Sequence, residues 1–277
     1  MYDLSGKVAV VTGAGRHRGL GEAMAKRLAA EGASVVITDI GAAKGAQFSS
    51  EHIGMTAEMA EIVAEIEKAG GTATAHVCDV LDEAQVAGAI KKAVDTYGRL
   101  DIMINNAGIG YLMSGILDLE QKDWDAVLNV NLRGVFFGVK HAAQQMIAQG
   151  DGGSIINTAS QAAKRGFAGA AAYVSSKHGV VGLTRTAALE FGPHNIRVNA
   201  ICPNHVTTGL GAWQNEHFSA AGGQGEDDYM AAMQARIPLG RVGLTSDIAA
   251  MAAFLCSDQA PYVTGQNLDV SGGEEMH

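Results

Sequence analysis

The chain has 277 residues, of which 47% are hydrophobic and 18% charged, enough apolar material for the core of one large α/β domain. A formal net charge of -9 argues against nucleic acid or an anionic membrane surface as the main partner. Cys78, Cys202 and Cys256 are odd in number, widely spaced and set among apolar neighbours, which suggests neither a disulfide framework nor a zinc site, so no metal is expected.

No apolar run reaches membrane-spanning length, and the opening residues lack the basic-then-apolar order of a secretion signal. A cytoplasmic location is expected. Lys7-Val8-Ala9-Val10-Val11-Thr12 is a β-branched run without polar alternation, which predicts a buried parallel strand ending at Gly13. Residues 21–31 carry apolar side chains at helical spacing and stop at Gly32, and 33–39 form a second apolar strand ending in Asp39. The result is a βαβ unit with glycines at its first turn, where backbone N–H groups and the positive end of a helix can receive a phosphate.

The alternation continues, with strands near 72–77, 100–105, 153–158 and 196–202 and helices near 56–69, 83–97, 122–149 and 171–192. A helix near 246–257 and a short strand near 266–270 close the pattern. About seven parallel strands covered by helices on both faces make a doubly wound Rossmann sheet, and residues 1–277 read as one domain. Segments 40–55 and 209–236 fall outside the pattern, each following the carboxyl end of a strand, where such sheets bind ligands.

Within the helix near 171–192, Tyr173 and Lys177 stand four residues apart and so share a face. A phenol with an ordinary pKa of about 10 is a poor base at neutral pH, and a fixed cation beside it favours the ionised form. Taken alone, the spacing is common and fits a buried Tyr beside a snorkelling Lys better.

The ordered set of motifs changes that balance. Thr12-Gly13 with Gly19 and Gly21, Asp79-Val80, Asn105-Asn106-Ala107-Gly108, Asn131, Ser160, Tyr173 with Lys177, and Asn199-Ala200-Ile201-Cys202-Pro203 occur in one order along nearly the whole chain. This chain resembles the short-chain dehydrogenase/reductase family. The resemblance implies Tyr173 as general acid/base, Lys177 lowering the phenol pKa and holding the nicotinamide ribose, Ser160 orienting the substrate oxygen, and Asn131 anchoring a water of a proton relay. It also implies that Gly13, Gly15, Arg18, Gly19, Leu20, Asp39, Asp79, Val80, Asn106, Ala107, Gly108, Pro203, Val206 and Thr208, with Tyr173 and Lys177, line the cofactor site. Asp39 points to NAD, because a carboxylate there accepts from both ribose hydroxyls and repels a 2′-phosphate. Arg16, His17 and Arg18 pull toward NADP, which stays the less favoured cofactor.

Two departures from the family pattern stand out. Gly13 and Gly19 enclose five residues where three are usual, as in the enoyl-reductase branch, so reduction of an enoyl thioester is an alternative activity. Asn204 follows Pro203 where the family has Gly, and Asn is the residue that best tolerates a left-handed backbone there.

Residues 209–236 read as a substrate lid, with Trp213, His217 and Phe218 as aromatic surface and Gly222, Gly223 and Gly225 as hinges. Lys164 and Arg165 offer contacts to an anionic or polyhydroxylated substrate, and Tyr111 and Met113 offer another wall. The expected partner is a small secondary alcohol or ketone, with a sugar, a steroid, a cyclic diol and a 3-oxoacyl thioester all open. The resemblance implies a homotetramer. A nucleotide sensor on the same fold, without turnover, is the reading from a different class.

Overall fold

The computed structural model describes residues 2–43, 53–110, 113–208, 219, 223 and 225–276. Seven parallel strands form one sheet in the order β3-β2-β1-β4-β5-β6-β7. They are β1 (Val8–Thr12), β2 (Ser34–Asp39), β3 (Thr72–Val77), β4 (Ile102–Asn105), β5 (Gly153–Thr158), β6 (Ile196–Pro203) and β7 (Asn267–Val270). The helices are α1 (Leu20–Ala30), α2 (Thr56–Lys68), α3 (Glu83–Tyr97), α4 (Gln121–Leu128), α5 (Gly134–Gln149), α6 (Ala171–Phe191), α7 (Glu226–Arg236) and α8 (Thr245–Cys256). The doubly wound Rossmann architecture read from the sequence is the one observed.

The absence of polar alternation in the strands follows from two buried faces. Val8, Val10, Val36, Met103, Ile155 and Val198 pack under α3, α5 and α6, whereas their neighbours Ala9, Val11, Val35, Ile37, Ile104 and Ile156 pack under α1, α2 and α8. Because β1 pairs with both β2 and β4, the sheet grows outward in both directions from it. The carboxyl ends of β1 and β4 therefore flank the crevice at the switch point.

Residues 121–149 are helical throughout, as read from the sequence, with one irregularity. A π-helical turn, Asn129–Arg133, separates α4 from α5. Such a turn inserts an extra residue, which here sends the Asn131 side chain inward toward the loop after β4. The sequence of the turn carries no mark of this irregularity.

All three thiols are buried and unbonded to one another, and burial pushes Cys78 up to about 12, Cys202 to about 11 and Cys256 to about 12. An unfolded thiol begins to ionise near its ordinary 9.0, whereas the folded ones keep their protons. The stability they contribute is thus complete below about pH 9 and is lost as pH rises toward 12. Urea midpoints should fall between pH 9 and 11, and Cys256→Ala should flatten that fall by about 1.4 kcal/mol per pH unit. An equal slope in the two proteins would show that Cys256 ionises as readily folded as unfolded.

Candidate active site

The carboxyl ends of β1, β2, β4, β5 and β6 open onto a cavity of about 590 Å³, within the range of small-molecule sites. Its two ends differ chemically. At one, Gly13, Gly19, Leu20, Asp39, Asp79 and Val80 come together; at the other are Ser160, Tyr173, Lys177, Pro203, Val206 and Thr208, with Asn106, Ala107 and Gly108 between them.

The first end is built around Thr12 and Asp39. Thr12 Oγ1 accepts from the N–H groups of Asn106 (3.0 Å) and Ala107 (3.1 Å), and Asn106 Nδ2 donates to the carbonyls of Thr12 and Gly13, both at 3.0 Å. These bonds lock the glycine turn to the loop after β4. Gly19 precedes α1 in an extended conformation, and no side chain caps that helix, so its first amides face outward without a side-chain acceptor. Asp39 Oδ2 accepts from Gly15 N (3.1 Å), Oδ1 accepts from Ile40 N (2.9 Å), and Gly54 N donates to the same carboxylate. Burial raises the Asp39 pKa, and those backbone donors oppose the shift. Asp79 accepts from Leu81 N at 3.0 Å, while the helix cap of α3 is Asp82.

The two extra residues of the glycine turn fold away from the cavity. His17 N donates to Glu58 and Arg18 N to Glu22, each at 2.6 Å, and Arg18 takes a left-handed φ of 59°. Arg18 consequently lines a separate surface depression with Glu22 and Lys26, and it is Arg16 that borders the main cavity. Beside Arg18, Lys26 Nζ donates to both Glu22 and Glu65 at 2.5 Å, so an ammonium already balances the carboxylates near His17. Gly15 touches Asp39 rather than the cavity.

The second end is organised by α6. Tyr173 is hydrogen-bonded to Ser160, whose Oγ also accepts from Ala162 N at 3.1 Å. Lys177 is 5% exposed, its Nζ lies 5.6 Å from the Tyr173 ring centroid, and it donates to the Thr158 carbonyl at 2.8 Å. Burial pushes the Tyr173 phenol above its ordinary value, with the Ser160 bond opposing, and pushes Lys177 down to about 8. The lowering of the phenol expected from Lys177 does not set its direction here: desolvation acts on both groups and favours the neutral form of each, and the opposing contribution comes from Ser160. Asn131 is fully buried behind this pair: its Oδ1 accepts from Ile109 N (2.8 Å), and its Nδ2 donates to Ile109 O (2.9 Å) and Ser176 Oγ (3.3 Å). It shapes the Gly108 strip of the wall without reaching the cavity itself.

Asn204 does not use the left-handed backbone expected for it. Among the described residues other than glycine, only Arg18 and Asn195 have positive φ. Its side chain is what matters: Nδ2 donates to Glu274. Lys164 is likewise engaged, with its Nζ 3.5 Å from Asp269 and bonded to the Asn267 carbonyl at 3.1 Å. His205 packs edge-on to Tyr229 with centroids 6.4 Å apart. Met113 lines the cavity as expected, whereas Tyr111, Trp213, His217, Phe218 and Gly222 lie outside the described residues. Tyr229, Met233 and Arg236, within the 209–236 segment read as a lid but not singled out there, line the cavity, and Phe167 lines it without any local mark in its sequence. No helix among the described residues is long and apolar enough to cross a membrane.

The family model described as enoyl-(acyl carrier protein) reductase matches residues 13–275. A mitochondrial borneol dehydrogenase of Lavandula x intermedia is 41% identical over 271 residues, covering 98% of this chain and 91% of its own length. A 3-oxoacyl-acyl-carrier-protein reductase FabG of Thermotoga maritima is 36% identical over 270 residues, covering 98% of each chain. The solved structure of carveol dehydrogenase from Mycobacterium avium in complex with NAD superposes with a TM-score of 0.91 at 32% identity, covering 99% of both chains.

Proposed function

The chain belongs to the short-chain dehydrogenase/reductase family of oxidoreductases, and from that premise we propose that it interconverts a cyclic secondary alcohol and its ketone with NAD(H). The observation that carries this reading is the Tyr173–Ser160 hydrogen bond beside buried Lys177, at one end of a cavity whose other end holds Asp39. Likeness to a borneol dehydrogenase and a carveol dehydrogenase supports an alicyclic alcohol.

A nicotinamide dinucleotide fits the residues present. Asp39 offers a carboxylate for ribose hydroxyls, the uncapped start of α1 offers amides for a pyrophosphate, and Lys177 offers an ammonium for the second ribose. Asp79, Val80 and Thr208 would complete the enclosure. When bound, the group supplies or accepts the hydride.

In the reductive direction Tyr173 gives its phenolic proton to the substrate oxygen. Ser160 donates to that oxygen and, held by Ala162 N, fixes its place. The Lys177 ammonium then stabilises the phenolate left behind. Both polar ends of the Asn131 side chain are engaged with Ile109 and Ser176, so it holds in place the wall behind Lys177.

The reading is tested by nicotinamide absorbance with a panel of cyclic secondary alcohols under NAD and then NADP, with an enoyl thioester in the reverse assay. Consumption of the thioester alone would favour the enoyl-reductase alternative that the longer glycine turn suggests. With the substrate found, Asp39→Ala should lower the NAD-to-NADP ratio of kcat/KM by about tenfold or more, since a like charge no longer faces the 2′-phosphate. An unchanged ratio would show that another residue selects the cofactor.

A homotetramer and a cytoplasmic location complete the proposal. Phe136, Ile147 and Leu189 are exposed apolar residues on α5 and α6, which supports a subunit contact there and is read by sedimentation.

A further inference from the structure

Three residues that line the cavity, each from a different element, converge on one carboxylate that does not line it. Asn204, in the loop after β6, donates to Glu274 Oε2. Arg236, the last residue of α7, donates to Glu274 Oε1. Arg165, between Ser160 and Tyr173, brings a guanidinium nitrogen to 3.5 Å from the same Oε1 and its Nε to 2.7 Å from Glu275 Oε1. The Glu274 side chain is only 6% exposed.

The turn that delivers Glu274 is built for this place. Gly272 and Gly273 have φ of 65° and 94°, and a Cβ on Gly272 would stand 2.6 Å from Ile237 Cγ2. Leu239 N donates to Gly272 O at 3.1 Å. The chain end is therefore seated against the segment leaving α7, and that seat allows no side chain at Gly272.

Resting on the alcohol/ketone reading above, we propose that Glu274 is a positioning and specificity-determining residue. It holds the loop after Ser160, the loop after β6 and the end of α7 as one wall, and it neutralises the arginines of that wall so that an uncharged substrate is selected over a carboxylated one. Two guanidinium groups, Arg165 and Arg236, face two carboxylates, Glu274 and Glu275, and the wall has no net charge. Lys164 is balanced in the same way by Asp269. The cations that the sequence offers to an anionic substrate are thus already committed. The asparagine standing where the family has glycine after Pro203 is explained as a ligand of Glu274.

The test uses the full chain with NADH and two ketones, cyclohexanone and the analogue bearing a carboxylate on the opposite ring carbon, in wild type, E274Q and R236Q. The expected result is a neutral-to-carboxylate ratio of kcat/KM that falls about three- to fivefold in E274Q, the effect of one partly exposed charge. That fall should sit in the KM of the carboxylate and fade at about 0.5 M salt, as an unscreened arginine requires. R236Q should move the ratio in the opposite direction, which simple loosening of the fold cannot do. A ratio equal in all three proteins, or one that shifts the same way in both variants regardless of salt, would overturn the proposal and leave Glu274 as packing for the chain end. Failure of wild type to reduce either ketone would overturn the dehydrogenase reading, and this inference with it.

Discussion

Tyr173→Phe should lower kcat/KM for the alcohol by about a thousandfold, roughly 4 kcal/mol of barrier, while cofactor affinity changes little. The substitution removes one oxygen and keeps the ring. That oxygen is the proton donor and acceptor of the proposed reaction, and its partner Ser160 already has Ala162 N as a second anchor, so the local fold survives its loss. The electrostatics add a direction. Burial holds the phenol above its ordinary pKa and Lys177 at about 8, so near neutral pH the tyrosine keeps its proton. It is poised as an acid for ketone reduction, and alcohol oxidation needs that proton removed first. Initial rates of oxidation should therefore rise steeply between pH 7 and 9, approaching tenfold per unit, with reduction much flatter. In the phenylalanine variant the residual oxidation rate should lose that slope. Retention of more than about a tenth of wild-type kcat/KM would remove Tyr173 from the role of general acid/base.

Gly138→Ala should destabilise the protein by about 2–4 kcal/mol even though alanine is the better helix former by about 1 kcal/mol. Gly138 lies on the face of α5 that meets β4, and a Cβ there would stand 1.8 Å from Asn105 Oδ1 and 3.0 Å from Met103 Cε. Neither neighbour has room to retreat. Asn105 is 3% exposed and donates to Asn157 Oδ1 at 2.9 Å, Asn157 donates to Thr184 Oγ1 at 2.9 Å, and Thr184 donates to the Val180 carbonyl at 2.8 Å. Pushing Asn105 aside leaves buried amides unpaired, at about 1–3 kcal/mol each. The chain of bonds ends in α6 three residues beyond Lys177, so the active site should feel the change as well. The melting temperature should fall by about 5–10 °C. Gly88→Ala in α3 is the control, because a Cβ there meets only His76 Nε2, at 3.7 Å, and should be neutral or slightly stabilising. A melting temperature for Gly138→Ala at or above wild type would mean that α5 can shift away from β4.

What could be read in the sequence was what local chemistry encodes. Unbroken β-branched runs meant strands buried on both faces, helical spacing meant covering helices, and their alternation meant a parallel sheet. Four-residue spacing on a helix was enough to put Tyr173 and Lys177 on one face. Motif order pointed to Ser160 and the Asn106-Ala107-Gly108 strip, and the end of the second strand to Asp39, all of which border the same cavity.

Other features depended on where distant segments meet, and no local pattern records that. The two added residues of the glycine turn carry Arg18 outward because Glu22 and Glu58, one of them far along the chain, capture the amides of Arg18 and His17. The π-helical turn at Asn129–Arg133 exists because Asn131 is bonded to both backbone groups of Ile109 and to Ser176, contacts made only after β4 and α6 are in place. The shift of the Tyr173 phenol has its sign set by desolvation, a property of the assembled pocket. The charges of Lys164, Arg165 and Arg236 are settled by Asp269, Glu274 and Glu275, about forty to one hundred residues further along the chain. Sequence by itself determined the fold, because periodicity and short spacing encode it, and through the order of its motifs the family and the candidate reacting side chains. Only the tertiary structure decided which cations are free, which amides are taken and what charge the substrate wall presents, because those follow from long-range pairing.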